Sequence, residues 1–541
     1  MKNEIFNVVA MPRVPGNQFD LGHEVKLSFD IGELVPTCVL DCIPGDVFRI
    51  QPETMLRFAP LISPVMHRVD VYTHFFFVPY RILWSGFEDF ITGASDTAAP
   101  YITFENVSGD GYLPGTVADY LGIPPTNGLP GTPTLQASPY FFAAYRKIYD
   151  EYYRDQNLEV AEIFVPLVNG DNTASYGVNS AIDNGTPQIR ALEHDYFTSC
   201  LPWAQKGDPV TLPLTFSAGV PVTLAGTYPT GANQALSVLD GTVLGAGNVS
   251  IDAGGNLQSD AGATTDFIID PNGNWVVDIQ SDAVTLETLR AAIVLQEFLE
   301  RDARAGTRYI EKIQAHFGVR SSDARLQRPE YIGGTRQVFA ISEVLATAQS
   351  SDDPATATQF VGQMAGHGVS VGGGNIFSFR VEEFGCIIGI TSVLPETAYQ
   401  DGLHRSWFKS DVYDDFAWPG FANLGEQAVR MKEVYLQAAD PELEFGYQSR
   451  YAEYKSIPSR VAGEFRSSLS FWHLGQIYDT EPTLSNDFIK AYPAKFNRIF
   501  AVPGDEETPV DHIYARVVNR ITAIRKLPRY GIPSFGSTNM G

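Results

Sequence analysis

Apolar and polar positions alternate with period two in several stretches of this chain, and the longest stretch organises the rest. From His67 to Val78, HRVDVYTHFFFV places Val69, Val71, Thr73, Phe75 and Phe77 on one face. Asp70, Tyr72, His74, Phe76 and Val78 fall on the other, because successive strand side chains point to opposite sides. Past Tyr72 both faces are apolar or aromatic, which predicts a strand covered on both sides. Pro64 precedes it and Pro79 stops it, since proline brings no amide hydrogen to a ladder. A strand this long and aromatic needs a large partner sheet.

The flanking sequence supplies one. His23–Ile31 alternates cleanly, with Val25, Leu27, Phe29 and Ile31 apolar and Lys26, Ser28 and Asp30 polar, the pattern of a half-buried strand. Val35–Ile43 predicts a second strand, closed by the Pro44-Gly45-Asp46 turn, and Val47–Ile50 a short third. Later strands are expected at Gln337–Val344, Val429–Gln437, Phe465–Leu474 and His512–Arg525, with a long hairpin from Ile376–Glu382 to Cys386–Val393. Helices are few. One begins at Ser138-Pro139, a cap followed by a proline suited to the first turn, with Phe141, Tyr145, Ile148 and Tyr152 on one face. A second starts at a Thr285 cap with Leu286, Leu289, Ile293 and Leu299 on a stripe, and stops at Ala305-Gly306. A third covers Thr307–Phe317 and ends at Gly318. Long irregular connections carry Trp407, Phe408, Phe416, Trp418 and Phe421. Many strands with helices confined to connections predict a mainly β antiparallel sandwich or jelly roll. Structureless loops this long are uncommon in isolated domains and point to assembly with further copies of the chain.

Composition agrees. Of 541 residues 19% are charged and 44% hydrophobic, with 48 Gly, 35 Pro, 25 Tyr and 34 Phe, which favours strands and ordered loops. The net charge of −25 argues against a dedicated nucleic-acid binder but leaves room for charge segregated to one surface. Between Gly207 and Ala283 there is no Lys or Arg, and short alternating runs such as Val220–Leu224 and Asn274–Ile279 are split by Pro, Gly and Asn. This reads as a β-rich insertion on the outside of the molecule, which costs little when both ends return to one place. From His512 onward the balance reverses. The segment has no acidic residue after His512 and carries Arg516, Arg520, Arg525, Lys526 and Arg529, with Tyr530 adjacent. Cations beside an aromatic suit a single-stranded phosphate backbone with base stacking; pairing with carboxylates of neighbouring copies suits them equally.

Catalytic chemistry is not evident. No P-loop, nucleophile elbow or H-E-x-x-H occurs. Cys38, Cys42, Cys200 and Cys386 form no C-x-x-C or zinc pattern and read as small buried residues in a reducing compartment. His67 and His74 read as structural. Asp270-Pro-Asn272-Gly-Asn274 has a faint calcium-loop spacing, but Trp275 stands where such a loop needs glycine and Ser281 where it needs glutamate, so a turn is expected, with no metal and no cofactor. Gly372–Gly374 follows no phosphate-loop pattern. The first residues lack the apolar core of a signal peptide, and no run approaches the length that spans a membrane, so a cytosolic protein is expected.

Several segments together resemble one family. FDLGHEVKLSFDIGELVPT, RFAPLISPVMHRVDVYTHFFFVPYRILW, YRKIYDEYYRDQNL, CLPWAQKGDPV and ERDARAGTRYIEKIQAHFGVRSSDARLQRPEYIGG are similar, in order along nearly the whole chain, to the major capsid proteins of microviruses of the gokushovirus-like branch. Asp323–Gly334 is the most specific segment, and about Thr215 to Val284 finds no match. The resemblance implies a single eight-stranded antiparallel jelly roll of viral capsid type with long loop insertions. Its copies would form a T=1 icosahedral shell around circular single-stranded DNA, assembled in the bacterial cytoplasm and carried in the virion. The implied organisation is an extended arm over 1–22 and a first part of the jelly roll over 23–214, with a helical loop at about 138–156. A surface protrusion over 215–283 would meet a host receptor, and helices over 284–335 would return the chain. The second part of the jelly roll would run over 336–511, followed by the last strand and basic tail over 512–541. Small internal DNA-binding and pilot proteins are implied as further partners. In that setting Arg516, Arg520, Arg525, Lys526, Arg529 and Tyr530 would face the DNA. Trp407, Phe408, Trp418 and Phe421 would anchor subunits or be buried within their own. A carbohydrate-binding or glycan-cleaving jelly roll is the competing expectation, and would need a secretion signal and paired carboxylates. A tail or adhesin protein would need fibrous repeats, which are absent.

Overall fold

The computed structural model describes residues 16–94, 97–104, 114–125, 135–159, 162–177, 185–208, 286–347, 364–502 and 510–530. Isolated positions and six short strands between 210 and 277 are described as well. Residues 1–15 of the arm, the Asp270–Asn274 turn, Thr285 and residues 531–541 lie outside the described residues. Contacts divide the chain into two units, Met1–Lys206 with Glu300–Gly541, and Gly207–Leu299.

The first unit is built on two antiparallel sheets. Its main strands are β1 (Asn17–Asp20), β2 (His23–Phe29), β3 (Val35–Cys42), β4 (Val47–Phe58), β5 (Val69–Pro79), β6 (Glu330–Val338), β7 (Ala340–Leu345), β8 (Met364–Gly373), β9 (Phe377–Arg380), β10 (Gly385–Pro395), β11 (Glu426–Arg430), β12 (Glu444–Ser449) and β13 (Ile513–Arg525). One sheet runs β1-β13-β4-β8-β7, with β2 also on β13 and β9 also on β4; the other runs β6-β5-β10-β3. The inner face of β5 behaves as its alternation predicts. Val69 and Val71 join Phe29, Leu56 and Ile513 in one cluster, and Phe75 and Phe77 join Phe48, Ile50 and Ile521 in another. Asn519, fully buried on β13, donates its side-chain amide to the Thr37 carbonyl on β3 at 2.8 Å and so ties the two sheets together. The outer face is covered too. Phe76 and Val78 pack with Trp84, Tyr145, Ile148, Tyr149 and Tyr176. The result is a mainly β, antiparallel, two-sheet unit of the jelly-roll kind, with few helices.

Five strand expectations need correction. Gln337–Val344 is not one strand: it covers the end of β6 and most of β7, which lie in different sheets. Val47–Ile50 is the start of a strand of 12 residues, β4, which runs through Pro52. Proline is accommodated because the Pro52 carbonyl takes the amide of Gly374, in the break between β8 and β9, where no partner strand waits for an amide hydrogen. Phe377–Arg380 and Gly385–Pro395 do not form a hairpin: β9 lies on β4 and β10 lies between β5 and β3. Val429–Gln437 gives way after Arg430 to a helical turn, Met431–Val434. Phe465–Leu474 is two 3-10 turns, Gly463–Arg466 and Ser470–Trp472.

Of the helices, α1 (Tyr140–Ile148) begins after Pro139, which caps it without a side-chain bond, so Ser138 is not the cap. It widens into a π turn over Tyr149–Tyr153. α2 (Leu286–Ala305) ends at Gly306, whose φ of +96° breaks it. α3 (Tyr309–Phe317) ends at Gly318 in the left-handed region. Asp302 joins the last two, accepting from Lys312 and His316 at 2.8 Å each. The second unit contains three nested antiparallel pairs: Val222–Leu224 with Trp275–Val277, Ser237–Val238 with Phe267–Ile268, and Val249–Ile251 with Leu257–Ser259.

Candidate nucleic-acid and subunit interfaces

β13 alternates between the core and solvent along its whole length. Ile513, Ala515, Val517, Asn519, Ile521 and Ala523 are buried; Tyr514, Arg516, Val518, Arg520, Thr522 and Ile524 point outward. Neighbouring strands extend this outer face. Register sets Arg57 of β4 and Ser28 of β2 beside Tyr514, Met55 and Lys26 beside Arg516, Gln51 beside Arg520, and Arg49 beside Thr522. Arg380 of β9 is on the same side, beside Val47. The outward positions of β1, β2, β4, β9 and β13 thus hold six cations (Lys26, Arg49, Arg57, Arg380, Arg516 and Arg520) against Asp20, Glu24 and Glu53. In a chain of net charge −25 this is a segregated basic surface. Arg516 pairs with Glu24 at 2.7 Å and Arg520 with Glu53 at 2.9 Å; the Arg516 guanidinium holds the Glu24 carboxyl down to about 2. Among the described residues no carboxylate pairs with Arg49, Arg57 or Arg380.

The structure brings together part of the expected basic set. Arg516 and Arg520 share the outer face. Arg525 falls on the other parity, where it pairs with Asp46 at 3.0 Å, donates to the Asp41 carbonyl and lies over Phe48, so its charge is engaged in holding the strand end. Lys526, Arg529 and Tyr530 are exposed beyond the strand, Tyr530 at 77%. Arg49, Arg57 and Arg380 were missed because β4 and β9 were read as shorter or differently paired; Tyr514 lies in a strand that was expected, but was not singled out. Full period-two alternation through Val47–Arg57 was the available signal.

The aromatic loop residues cluster on the surface. Trp407 is 75% exposed, and Val412, Tyr413, Phe416, Trp418 and Leu424, later in the same connection, are exposed as well. Trp418 donates its indole N–H to the Val412 carbonyl at 2.8 Å, and Phe421 meets Tyr413 edge-on at 5.7 Å. Phe408 is half-buried beneath Lys432, whose ammonium lies 4.3 Å from the ring centre. Beneath the loop, Arg405 donates to the Ala428 carbonyl at 2.7 Å and pairs with buried Glu433 at 3.4 Å. Large apolar side chains exposed in this number on one connection are candidates for an interaction site.

A model of the family described as "Capsid protein (F protein)" matches residues 8–535. The chain belongs to this phage capsid protein family. It is similar to capsid protein VP1 of Chlamydia phage 1, with 33% identity covering 98% of both chains. With VP1 of Bdellovibrio phage phiMH2K the identity is 34% over 96% of this chain and 95% of the relative. With VP1 of Spiroplasma virus 4 it is 30% over 98% and 97%. The resemblance to microvirus major capsid proteins is thereby shown, and the capsid protein has a structural role based on association with its own copies.

In this capsid protein each of the two histidines of the central stretch is hydrogen-bonded within the fold. His67 bonds the Glu396 carbonyl at 2.6 Å just before β5, and burial lowers its pKa. His74 bonds the Tyr153 hydroxyl at 2.8 Å, and burial lowers it to about 4. All four cysteines are buried as free thiols. Among the described residues no cluster of acidic, histidine or cysteine side chains could hold a metal ion, and no helix is long and apolar enough to cross a membrane.

Proposed function

We propose that copies of this capsid protein close a T=1 icosahedral shell around a circular single-stranded DNA genome, assembled in the host bacterial cytoplasm. The observation that carries the reading is the exposure of four large aromatic side chains, Trp407, Phe416, Trp418 and Phe421, on one connection. In the shell these side chains anchor neighbouring copies, since large aromatic groups contribute much of the energy of an interface. The basic face of β13, with Arg516 and Arg520, and the exposed Lys526, Arg529 and Tyr530 face the DNA, where they neutralise phosphates that an acidic chain would otherwise repel. Small internal DNA-binding and pilot proteins share that interior. The insertion over 215–283, devoid of Lys and Arg, forms the outward protrusion and meets the host receptor. Electron microscopy of the expressed protein tests the reading: closed isometric shells are expected, and a soluble monomer that never assembles would overturn it.

A further inference from the structure

The basic sheet face has a hollow of about 510 Å³ whose lining includes Arg49, Gln51, Arg520, Thr522 and Gln18. Its origin is topological. Both strands that flank the β13–β4 pair are interrupted in this stretch of the sheet. On one side the chain passes from β1 to β2 through Leu21 and Gly22; on the other it passes from β8 to β9 through Gly374. At the Arg520–Gln51 row the sheet is therefore two strands wide, and Gly22 contributes no side chain to fill the gap. Arg49 and Arg520 stand on the adjacent strands β4 and β13, with Arg49 beside Thr522 and Gln51 beside Arg520 in register. Glu53 pairs with Arg520 at 2.9 Å, while no carboxylate among the described residues pairs with Arg49. Asp20 also lines the hollow, with a carboxylate oxygen taken by the Gly22 amide at 2.9 Å.

We propose that this hollow is a nucleotide seat for single-stranded DNA: Arg49 and Arg520 hold a backbone phosphate, and the Gln18 and Gln51 amides with the Thr522 hydroxyl face the sugar or base. Guanidinium groups suit phosphate because their fork matches two oxygens at once. Neutral amides and a hydroxyl offer both donors and acceptors, which a bare phosphate site does not need. Tyr514, 48% exposed farther along β13 and flanked by Arg57 and Arg516, offers a stacking surface for a following base. The proposal rests on the reading that this face looks onto the genome.

The test is binding of a labelled thymidine oligonucleotide to the purified protein by fluorescence anisotropy over a series of salt concentrations. Replacing both Arg49 and Arg520 with Gln is expected to weaken binding about tenfold at low salt and to reduce the slope of log affinity against log salt by about 1.4, the loss of two cations at roughly 0.7 each. Arg301→Gln, alone or with Arg320→Gln to match the two charges removed, changes exposed cations elsewhere and is expected to leave both unchanged, and Arg49→Lys with Arg520→Lys to keep most of the slope. An unchanged slope in the Gln variant, or equal weakening by Arg301→Gln, would overturn the seat. Full displacement of the oligonucleotide by inorganic phosphate at millimolar concentration would overturn it too, leaving a simple anion site. Electron microscopy of the same variants separates this outcome from the parent reading. Closed shells with reduced DNA content support the seat, whereas absence of shells from the unmodified protein removes the shell and leaves the binding result standing.

Discussion

Among the described residues no carboxylate pairs with Arg498. Its guanidinium donates to the carbonyls of Ser470, His473 and Gly475 at 3.1, 3.0 and 2.6 Å and to that of Lys495 at 2.5 Å, and burial lowers its pKa to about 10. One side chain therefore satisfies carbonyls in two separate turns of the chain. Arg498→Ala leaves them without donors, and a loss of about 3 kcal/mol is expected, measurable as a lowered urea midpoint; Arg498→Lys should recover a minor part, because an ammonium has fewer donors. Glu33 is a second pressure point. Its carboxylate accepts the Asp30 amide at 2.8 Å, and burial, with the charges of Asp30 and Asp511, pushes it up to about 7. His512, whose Nδ1 lies 2.7 Å from Asp30, is also raised: burial lowers it, but the bond to Asp30, the Asp30 and Asp511 charges and the Val502 carbonyl together outweigh burial. A group with a raised folded pKa contributes stability fully below its unfolded value and loses it as pH climbs through the folded one. The thermal midpoint should therefore fall from about pH 5 to about pH 8, with Glu33 contributing on the order of 2 kcal/mol. Glu33→Gln should flatten that profile, and a profile as steep as the parent's would reject the assignment.

At the scale of elements, β10 shows how tightly the two-sheet core is drawn. All its residues from Gly385 to Pro395 are buried between β5 and β3. At Gly389 a Cβ would stand 2.7 Å from the Phe75 ring and 3.0 Å from Cys38. Gly389→Ala should cost about 2 kcal/mol through overpacking, read as a lower denaturant midpoint with an unchanged slope. Strands such as β2, β5 and β13 were legible in the sequence because one face, or both past Tyr72 in β5, is predominantly apolar or aromatic, and burial enforces that pattern. Phe465–Leu474 alternates comparably yet forms turns, because Arg498 takes the carbonyls of Ser470 and His473 and the His473 ring binds the Phe465 carbonyl at 2.9 Å. Alternation records a propensity; a strand also needs a free ladder beside it. Pairing was less legible still. β9 and β10 are near neighbours in sequence, but each follows a different arm of the β3–β4 connection. The basic surface was half legible for the same reason: β13 announced its own cations, while those of β4 and β9 join them through register, which a single sequence does not display.

For the whole molecule, the division at Gly207 and Leu299 allows a clean separation of duties. Within the second unit Val222–Leu224 pairs antiparallel with Trp275–Val277, so the chain enters and leaves the nested hairpins at neighbouring points. A segment whose ends meet can be exchanged for a short link at little entropic cost. The clusters that contain β5, β10 and β13 draw on residues outside 207–299. Replacing residues 215–283 with a short Gly-Ser link should therefore leave the thermal midpoint of the remaining chain within a few degrees of the parent, on the order of 1 kcal/mol. If the insertion is the host-facing protrusion, particles carrying the shortened chain should still close and still hold DNA, but should fail to adsorb to host cells. Trp407→Ser should do the opposite, leaving the subunit folded while shells fail to form. Full adsorption by particles that lack the insertion would place receptor binding elsewhere on the shell, and collapse of the shortened chain would mean that the insertion carries part of the fold.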